Sequence, residues 1–133
     1  MTALQKVLLT KIVYTLLFLV LPLLCLPPSV LAPFSLDFVR PVLMSRLLGL
    51  AYLALVFGYF AAYRATQRGQ WPTELLWMGV VSNGGGALLN FTAPFTSEWA
   101  SLHCNAKAFL LAAGAVVALL TIGLVVFGIL GKE

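Results

Sequence analysis

Tyrosine and asparagine side chains recur at helical spacing within two apolar runs of this chain. Asn83 and Asn90 lie seven residues apart in one run, and Tyr52 and Tyr59 lie seven apart in another. Residues at this spacing return to the same face of a helix, so each run carries a polar stripe. Phenol and amide groups form hydrogen bonds, but without a neighbouring carboxylate they make no acid–base pair. The stripes therefore indicate a binding surface, and the sequence predicts no catalytic residue.

The two stripes would face each other if their helices are neighbours. At ~1.5 Å per residue, Tyr52 and Asn83 come to similar depths, and Arg46 and Asn90 both come near the outer boundary. We expect a narrow cavity between the second and third helices, open outward, with Arg46 at its mouth. Its hydrogen-bonding lining suits a lipid head group, a quinone or another amphiphile. The candidate ligand-binding residues are Arg46, Tyr52, Tyr59, Asn83 and Asn90.

Helix packing is the second interpretation of these faces. Small residues accompany the asparagine stripe and recur in the last run, at Gly79, Gly86, Gly114 and Ala118. Small side chains let membrane helices approach closely, and an Asn or Tyr hydrogen bond across such a contact contributes about 1 kcal/mol. The sequence alone leaves both interpretations open.

Thiol, imidazole and carboxyl groups lie towards the ends of the runs. Cys25 and Cys104 would share the outer side, where they either form a disulfide or remain free thiols. His103 is the one histidine and there is no CxxC pair, so the sequence predicts no metal site and no cofactor. Proton-coupled export is disfavoured, because no acidic residue falls mid-run; the four are Asp37, Glu74, Glu98 and Glu133.

Four apolar runs must position these groups. The chain is 62% hydrophobic and 9% charged, with a mean hydropathy of +1.03, whereas soluble domains carry roughly 25% charged residues. Runs of about 20 apolar residues match a hydrocarbon core of about 30 Å, and lipid obliges them to be helical. We predict an all-α integral membrane protein with one domain over residues 1–133, an up-down four-helix bundle with helices near residues 7–26, 43–62, 74–91 and 107–130.

Basic residues set the expected orientation. Lys6, Lys11, Arg64, Arg68 and Lys132 fall on the side of the two termini, against Arg40, Arg46 and Lys107 on the other. This bias predicts that both termini are cytoplasmic. The same charges are too dispersed for a nucleic-acid site, so no nucleic-acid partner is expected. A cleaved signal peptide is the alternative for the first run, but its length and the following Pro27-Pro28 favour an uncleaved helix.

The run RLLGLAY at residues 46–52, continuing to Gly58-Tyr59, resembles a second-helix pattern of the small bacterial DoxX-like and BphX-like membrane families. The segment VVSNGG at residues 80–85 adds to the likeness. The resemblance covers about a third of the chain, with Arg46, Gly49 and Tyr52 as the matching positions. It implies a four-helix bundle and, for some members, an association with redox or catabolic systems.

These observations favour a non-enzymatic protein of the bacterial inner membrane. We expect an accessory subunit or small scaffold, which contacts the lipid bilayer and either a larger membrane protein or further copies of itself. The alternative is a binder or carrier of a lipid-like or quinone-like amphiphile in the Tyr/Asn-lined cavity between the second and third helices. An enzyme that uses the same stripe is the third interpretation.

Overall fold

The computed structural model of the chain describes residues 1–34 and 43–131. Four long helices dominate this part: α1 (Ala3–Cys25), α2 (Leu43–Gln67), α3 (Thr73–Thr92) and α4 (Cys104–Leu130). Short helical turns lie between them at Pro28–Leu31, Ala32–Phe34, Ala93–Phe95 and Ser97–Ser101. No strand occurs within these ranges, and the all-α prediction is confirmed. Outside the description lie Asp37, Arg40, Lys132, Glu133 and the side chain of Glu98.

Three of the helices, α1, α2 and α4, are long and apolar enough to cross a membrane. Helix α3 is not among them, because its asparagines and glycines lower its average hydropathy. Large apolar side chains remain exposed on all four helices, among them Phe18, Phe57, Leu88 and Leu119. Water would not favour such a surface, whereas acyl chains would cover it. The structure therefore indicates an integral membrane protein.

Helix α1 begins earlier than the apolar run suggests because its first turn is capped. The Thr2 hydroxyl accepts a hydrogen bond from the Gln5 backbone N–H at 3.3 Å, and the Gln5 side-chain oxygen accepts one from the Thr2 N–H at 3.0 Å. This reciprocal pair satisfies two backbone donors that a helix start leaves free. The extra turn puts Lys11 about 12 Å inside the helix at ~1.5 Å per residue. Lys11 was counted among the basic residues on the side of the termini, and its side chain lies buried between the helices.

Helix α1 widens near its middle. Residues Leu16–Val20 form a π-helical turn, in which the Leu21 N–H donates to the Leu16 carbonyl. Pro22 follows directly and has no N–H to donate, which removes one bond from the α-helical ladder. A wider turn just before this proline redirects the neighbouring bonds, and such turns often occur beside binding sites. The irregular turn lies immediately after Thr15, which is completely buried.

Close helix approaches hold the structure together, and glycines permit them. A Cβ built on Gly49 would lie 3.0 Å from Leu23 of α1, and one on Gly79 would lie 2.8 Å from Leu124 of α4. The Gly79 contact belongs to an apolar cluster that draws on all four helices, comprising Leu4, Leu8, Tyr59, Ala62, Leu76 and Leu124. The α2–α3 turn is fastened to α4 by the Trp71 indole N–H, which donates to the Gly128 carbonyl at 2.8 Å. Gly69 closes that turn in the left-handed region, with φ +72°.

Two glycines of α3 provide a matched test of this packing. At Gly79→Ala the new methyl group meets Leu124 and the Tyr59 ring, both fully buried, so we expect a loss of about 1–2 kcal/mol in unfolding free energy. At Gly86→Ala no atom lies within 4 Å, and higher helix propensity should leave stability unchanged or raise it by up to about 1 kcal/mol. Thermal unfolding in detergent measures both. Equal destabilisation by the two substitutions would contradict this packing.

Candidate functional site

A cavity of about 240 Å³ lies between the four long helices. Each helix contributes wall residues, and those of α1 run from Lys11 to Leu23, which spans about 18 Å at ~1.5 Å per residue. Three helices contribute hydrogen-bonding side chains to the wall: Lys11, Tyr14, Thr15, Tyr52, Ser82, Asn83 and Asn90. Apolar side chains complete it, chiefly Leu19, Leu23, Leu48, Phe109, Leu110 and Val117. The cavity is thus amphipathic along its length.

The structure brings three of the five predicted ligand-binding residues onto this wall. Tyr52, Asn83 and Asn90 line the cavity, as α2 and α3 were expected to present them. The cavity differs from the expected cleft in that α1 and α4 also enclose it. Two predicted residues, Tyr59 and Arg46, are not on its wall.

Tyr59 lies behind the cavity wall and contacts two wall residues. Its ring is fully buried, and its hydroxyl accepts a hydrogen bond from Asn83 Nδ2 at 3.3 Å and lies 3.0 Å from Ser82 Oγ. Ser82 Oγ also lies 3.3 Å from the Gly79 carbonyl oxygen, to which it can donate. Asn83 itself is only 3% exposed. This network orients the Asn83 amide at the cavity wall, because its NH₂ group donates to the Tyr59 hydroxyl.

Arg46 serves a different purpose. Its Nη1 donates to the Leu23 carbonyl and its Nη2 donates to the Leu26 carbonyl at 2.9 Å. The last carbonyls of a helix lack partners within the helix and carry its negative dipole end. Arg46 therefore caps the end of α1 and ties α2 to it, with both arms of its fork engaged.

Lys11 is a wall residue that the sequence analysis did not include among the candidate ligand-binding residues. Its side chain is 4% exposed, and its Nζ lies 5.8 Å from the centre of the Tyr14 ring and 5.7 Å from that of Tyr59. Each cation–π contact contributes about 0.5–2 kcal/mol, whereas desolvation of an ion costs several kcal/mol. Within the described ranges, no carboxylate compensates the difference. A signal was available in the sequence, because Lys11 lies within the first apolar run with Thr15 one turn further along the same face.

Thr15 carries a hydroxyl with no hydrogen-bond partner although the residue is completely buried. Helical threonines in apolar surroundings usually bond back to a carbonyl of the preceding turn. Thr92 does so to Leu88 at 2.9 Å, and Thr121 does so to Val117 at 2.7 Å. A buried hydroxyl without a partner costs about 1–3 kcal/mol. Thr15 therefore leaves hydrogen-bonding capacity unused beside the cavity.

The residues assigned to packing fall into two groups. Gly79 and Gly114 lie at tight contacts, since a Cβ on Gly114 would approach the Asn90 Cβ to 2.9 Å. Ala118 is half-buried on α4. Gly86 instead lies on the cavity wall with open space around its Cβ position.

Cys25, Cys104 and His103 form no assembled centre in the described part of the chain. Both thiols are free and exposed, and their disulfide stays a prediction. No three potential metal ligands come together among the described residues. His103 and Cys104 line a shallow surface depression with Ser29, separate from the central cavity.

Arg46 offers a test of how α1 and α2 are joined. Arg46→Met removes two charge-assisted hydrogen bonds and should lower the unfolding free energy by about 2–3 kcal/mol. Arg46→Lys keeps the charge but loses the fork, so we expect roughly half that effect. Arg64→Met is the matched control, because Arg64 is exposed on the same helix and its guanidinium lies over the Phe60 ring. Thermal unfolding of the three variants in detergent provides the comparison. The assignment is wrong if Arg46→Met is no worse than Arg64→Met.

Comparison with known proteins adds no relative to this geometry. No family model, no curated protein and no solved structure matches the chain. The resemblance to DoxX-like and BphX-like proteins therefore stays a prediction, and the function has to be argued from the site itself.

Proposed function

We propose that this chain binds the polar head of a lipid-like or quinone-like amphiphile in its central cavity. The supporting observation is the enclosure of Lys11, Thr15, Tyr52, Ser82, Asn83 and Asn90 around about 240 Å³ of space between apolar helices. Buried polar groups are costly unless they are hydrogen-bonded, and lipid around the helices supplies no partner. A polar guest satisfies these groups, whereas helix packing alone leaves Thr15 and Lys11 unsatisfied within the described residues.

The size of the cavity supports a head group in preference to a whole large ligand. Sites that enclose drug-sized molecules measure roughly 300–1,000 Å³, and this cavity is smaller. It would hold roughly eight water volumes of ~30 Å³ each. A compact polar head with the first part of an apolar chain matches both this volume and the amphipathic wall.

The membrane arrangement belongs to the same proposal. Helix α3 would cross the bilayer with the other three, in an up-down bundle of the bacterial inner membrane with both termini cytoplasmic. Its lower hydropathy is explained by Ser82, Asn83 and Asn90, which line the cavity, while Val81 and Leu88 remain exposed and apolar. A helix needs apolar residues only where it meets lipid.

An accessory subunit or scaffold was the first expectation from the sequence, and it stays a prediction. The apolar outer faces fit a larger membrane protein, a second copy of the chain or the bilayer equally well. The cavity wall, in contrast, carries the unpartnered Thr15 hydroxyl and the buried Lys11 ammonium, which a polar guest would satisfy. Amphiphile binding is therefore the function that the geometry supports best.

Filling the cavity tests this function. Ala113 lines the cavity and Ala115 is exposed on the same helix, so Ala113→Phe should block binding and Ala115→Phe should not. The probes are decanoate, decanol, decyl phosphate and a short-chain ubiquinone, added to protein in nanodiscs of phosphatidylcholine and measured by native mass spectrometry. We expect at least one probe to bind the wild type and Ala115→Phe, and to lose at least about tenfold in affinity with Ala113→Phe, equivalent to about 1.4 kcal/mol.

Two results would overturn amphiphile binding. One is the failure of every probe to bind the wild type. The other is binding that Ala113→Phe and Ala115→Phe leave equally intact, because the probe would then sit on the outer surface. Thermal unfolding of both variants shows whether Ala113→Phe remains folded. If it does not, Asn83→Leu provides the second test, since it removes the amide at the wall while keeping a side chain of similar size.

A further inference from the structure

We infer that the head group bound in the cavity is a single negative charge, a carboxylate or a phosphate monoanion, and that Lys11 is its counter-ion. This inference rests on the proposed function and specifies the class of ligand. It distinguishes an anionic amphiphile from a neutral one such as a quinone or an alcohol. Three independent observations support it.

The first observation is the environment of Lys11. The side chain is 4% exposed and lines the cavity, and within residues 1–34 and 43–131 no carboxylate is its partner. Its cationic contacts are the faces of Tyr14 and Tyr59. An ionisable residue inside a membrane helix usually faces a functional cavity and meets a charge there. An anionic guest would supply that charge.

The second observation is the unused hydroxyl of Thr15. It lies four residues after Lys11 on the same face of α1, is 0% exposed, and has no hydrogen-bond partner. Both residues lie on the cavity wall. A hydroxyl beside an ammonium can donate to the second oxygen of a carboxylate or phosphate. The pair thus provides one charge and one further donor for an oxyanion.

The third observation is the arrangement of polar and apolar wall. Lys11 Nζ lies 5.7 Å from the Tyr59 ring, and the Tyr59 hydroxyl contacts Ser82 and Asn83, so these donors gather at one end of the cavity. Further along lie Leu19, Leu23, Phe109 and Leu110, with one more polar side chain, Asn90, two helical turns beyond Asn83. This part of the wall is mainly apolar. A molecule with an anionic head and an apolar chain matches this order. A free inorganic anion would leave the apolar half empty.

The number of charges limits the ligand further. Lys11 is the one cationic side chain on the described cavity wall. Arg46 does not line the cavity, and both of its Nη atoms donate to carbonyls at the end of α1. One ammonium balances one negative charge. A second uncompensated charge in this enclosed site would be strongly unfavourable. The cavity therefore favours monoanions over dianions.

Decanoate and decanol provide the direct comparison, because they share a chain and differ in charge. In phosphatidylcholine nanodiscs we expect decanoate to bind the wild type about 10- to 100-fold more tightly than decanol, the range for a charge-assisted hydrogen bond. Lys11→Met should abolish this preference, and Lys11→Arg should keep most of it. Lys6→Met is the matched control, since Lys6 is exposed on the same helix. A decyl methyl phosphodiester, which carries one negative charge at neutral pH, and inorganic phosphate distinguish a phosphate-bearing lipid from a carboxylate and from a free anion.

Stability gives a second readout. Replacing a buried, unpaired ammonium by an apolar side chain of similar length should leave thermal unfolding unchanged or raise its midpoint. A purely structural Lys11 would instead make Lys11→Met less stable with no change in the preference for decanoate, and that result overturns the inference. Equal binding of decanol and decanoate to the wild type also overturns it, while amphiphile binding that Ala113→Phe blocks would survive. If no probe shows binding that Ala113→Phe weakens, the proposed function fails as well.

Discussion

Lipid offers no hydrogen-bond partner, so every polar group of a membrane helix has to find one inside the protein. This constraint explains most of the side-chain contacts in the structure. Arg46 satisfies carbonyls at the end of α1, Trp71 satisfies one at the end of α4, and Tyr59 engages the amide of Asn83. Lys11 and Thr15 are exceptions within the described residues, and both lie on the wall of the same cavity. Their shared position is the reason that we propose this cavity as the binding site.

Glycines determine both where the helices touch and where they stay apart. On α3, Gly79 lies against Leu124 and Tyr59, whereas Gly86, two turns away, has open space around its Cβ position. Helix α3 is therefore tightly packed at Gly79, beside the apolar cluster, whereas Gly86 borders the cavity. The sequence left packing and binding as alternatives, and in the structure the tight contact at Gly79 and the cavity wall at Gly86 occupy different segments of α3.

Helical periodicity predicted much of this arrangement. Spacing of seven residues correctly indicated that Asn83 and Asn90 share a face, and depth counting brought Tyr52 to the same cavity. The partners of Arg46 were not predictable, because the carbonyls of α1 come to it only through tertiary packing. Lys11 was missed for a local reason: a basic residue near the start of an apolar run looks like a membrane flank. Tertiary packing buries its side chain instead, against the rings of Tyr14 and Tyr59.

The central claim is that a small anionic amphiphile occupies the cavity in the native membrane. Native mass spectrometry of the chain released gently from that membrane, without added lipid, tests it most directly. The claim predicts a defined small-molecule mass on the wild type, carrying an acidic group, that is absent from both Lys11→Met and Ala113→Phe. Release of the wild type with no bound small molecule would contradict it. Retention of the same mass by Ala113→Phe would contradict it too, and co-release of a larger protein instead would favour the accessory-subunit alternative.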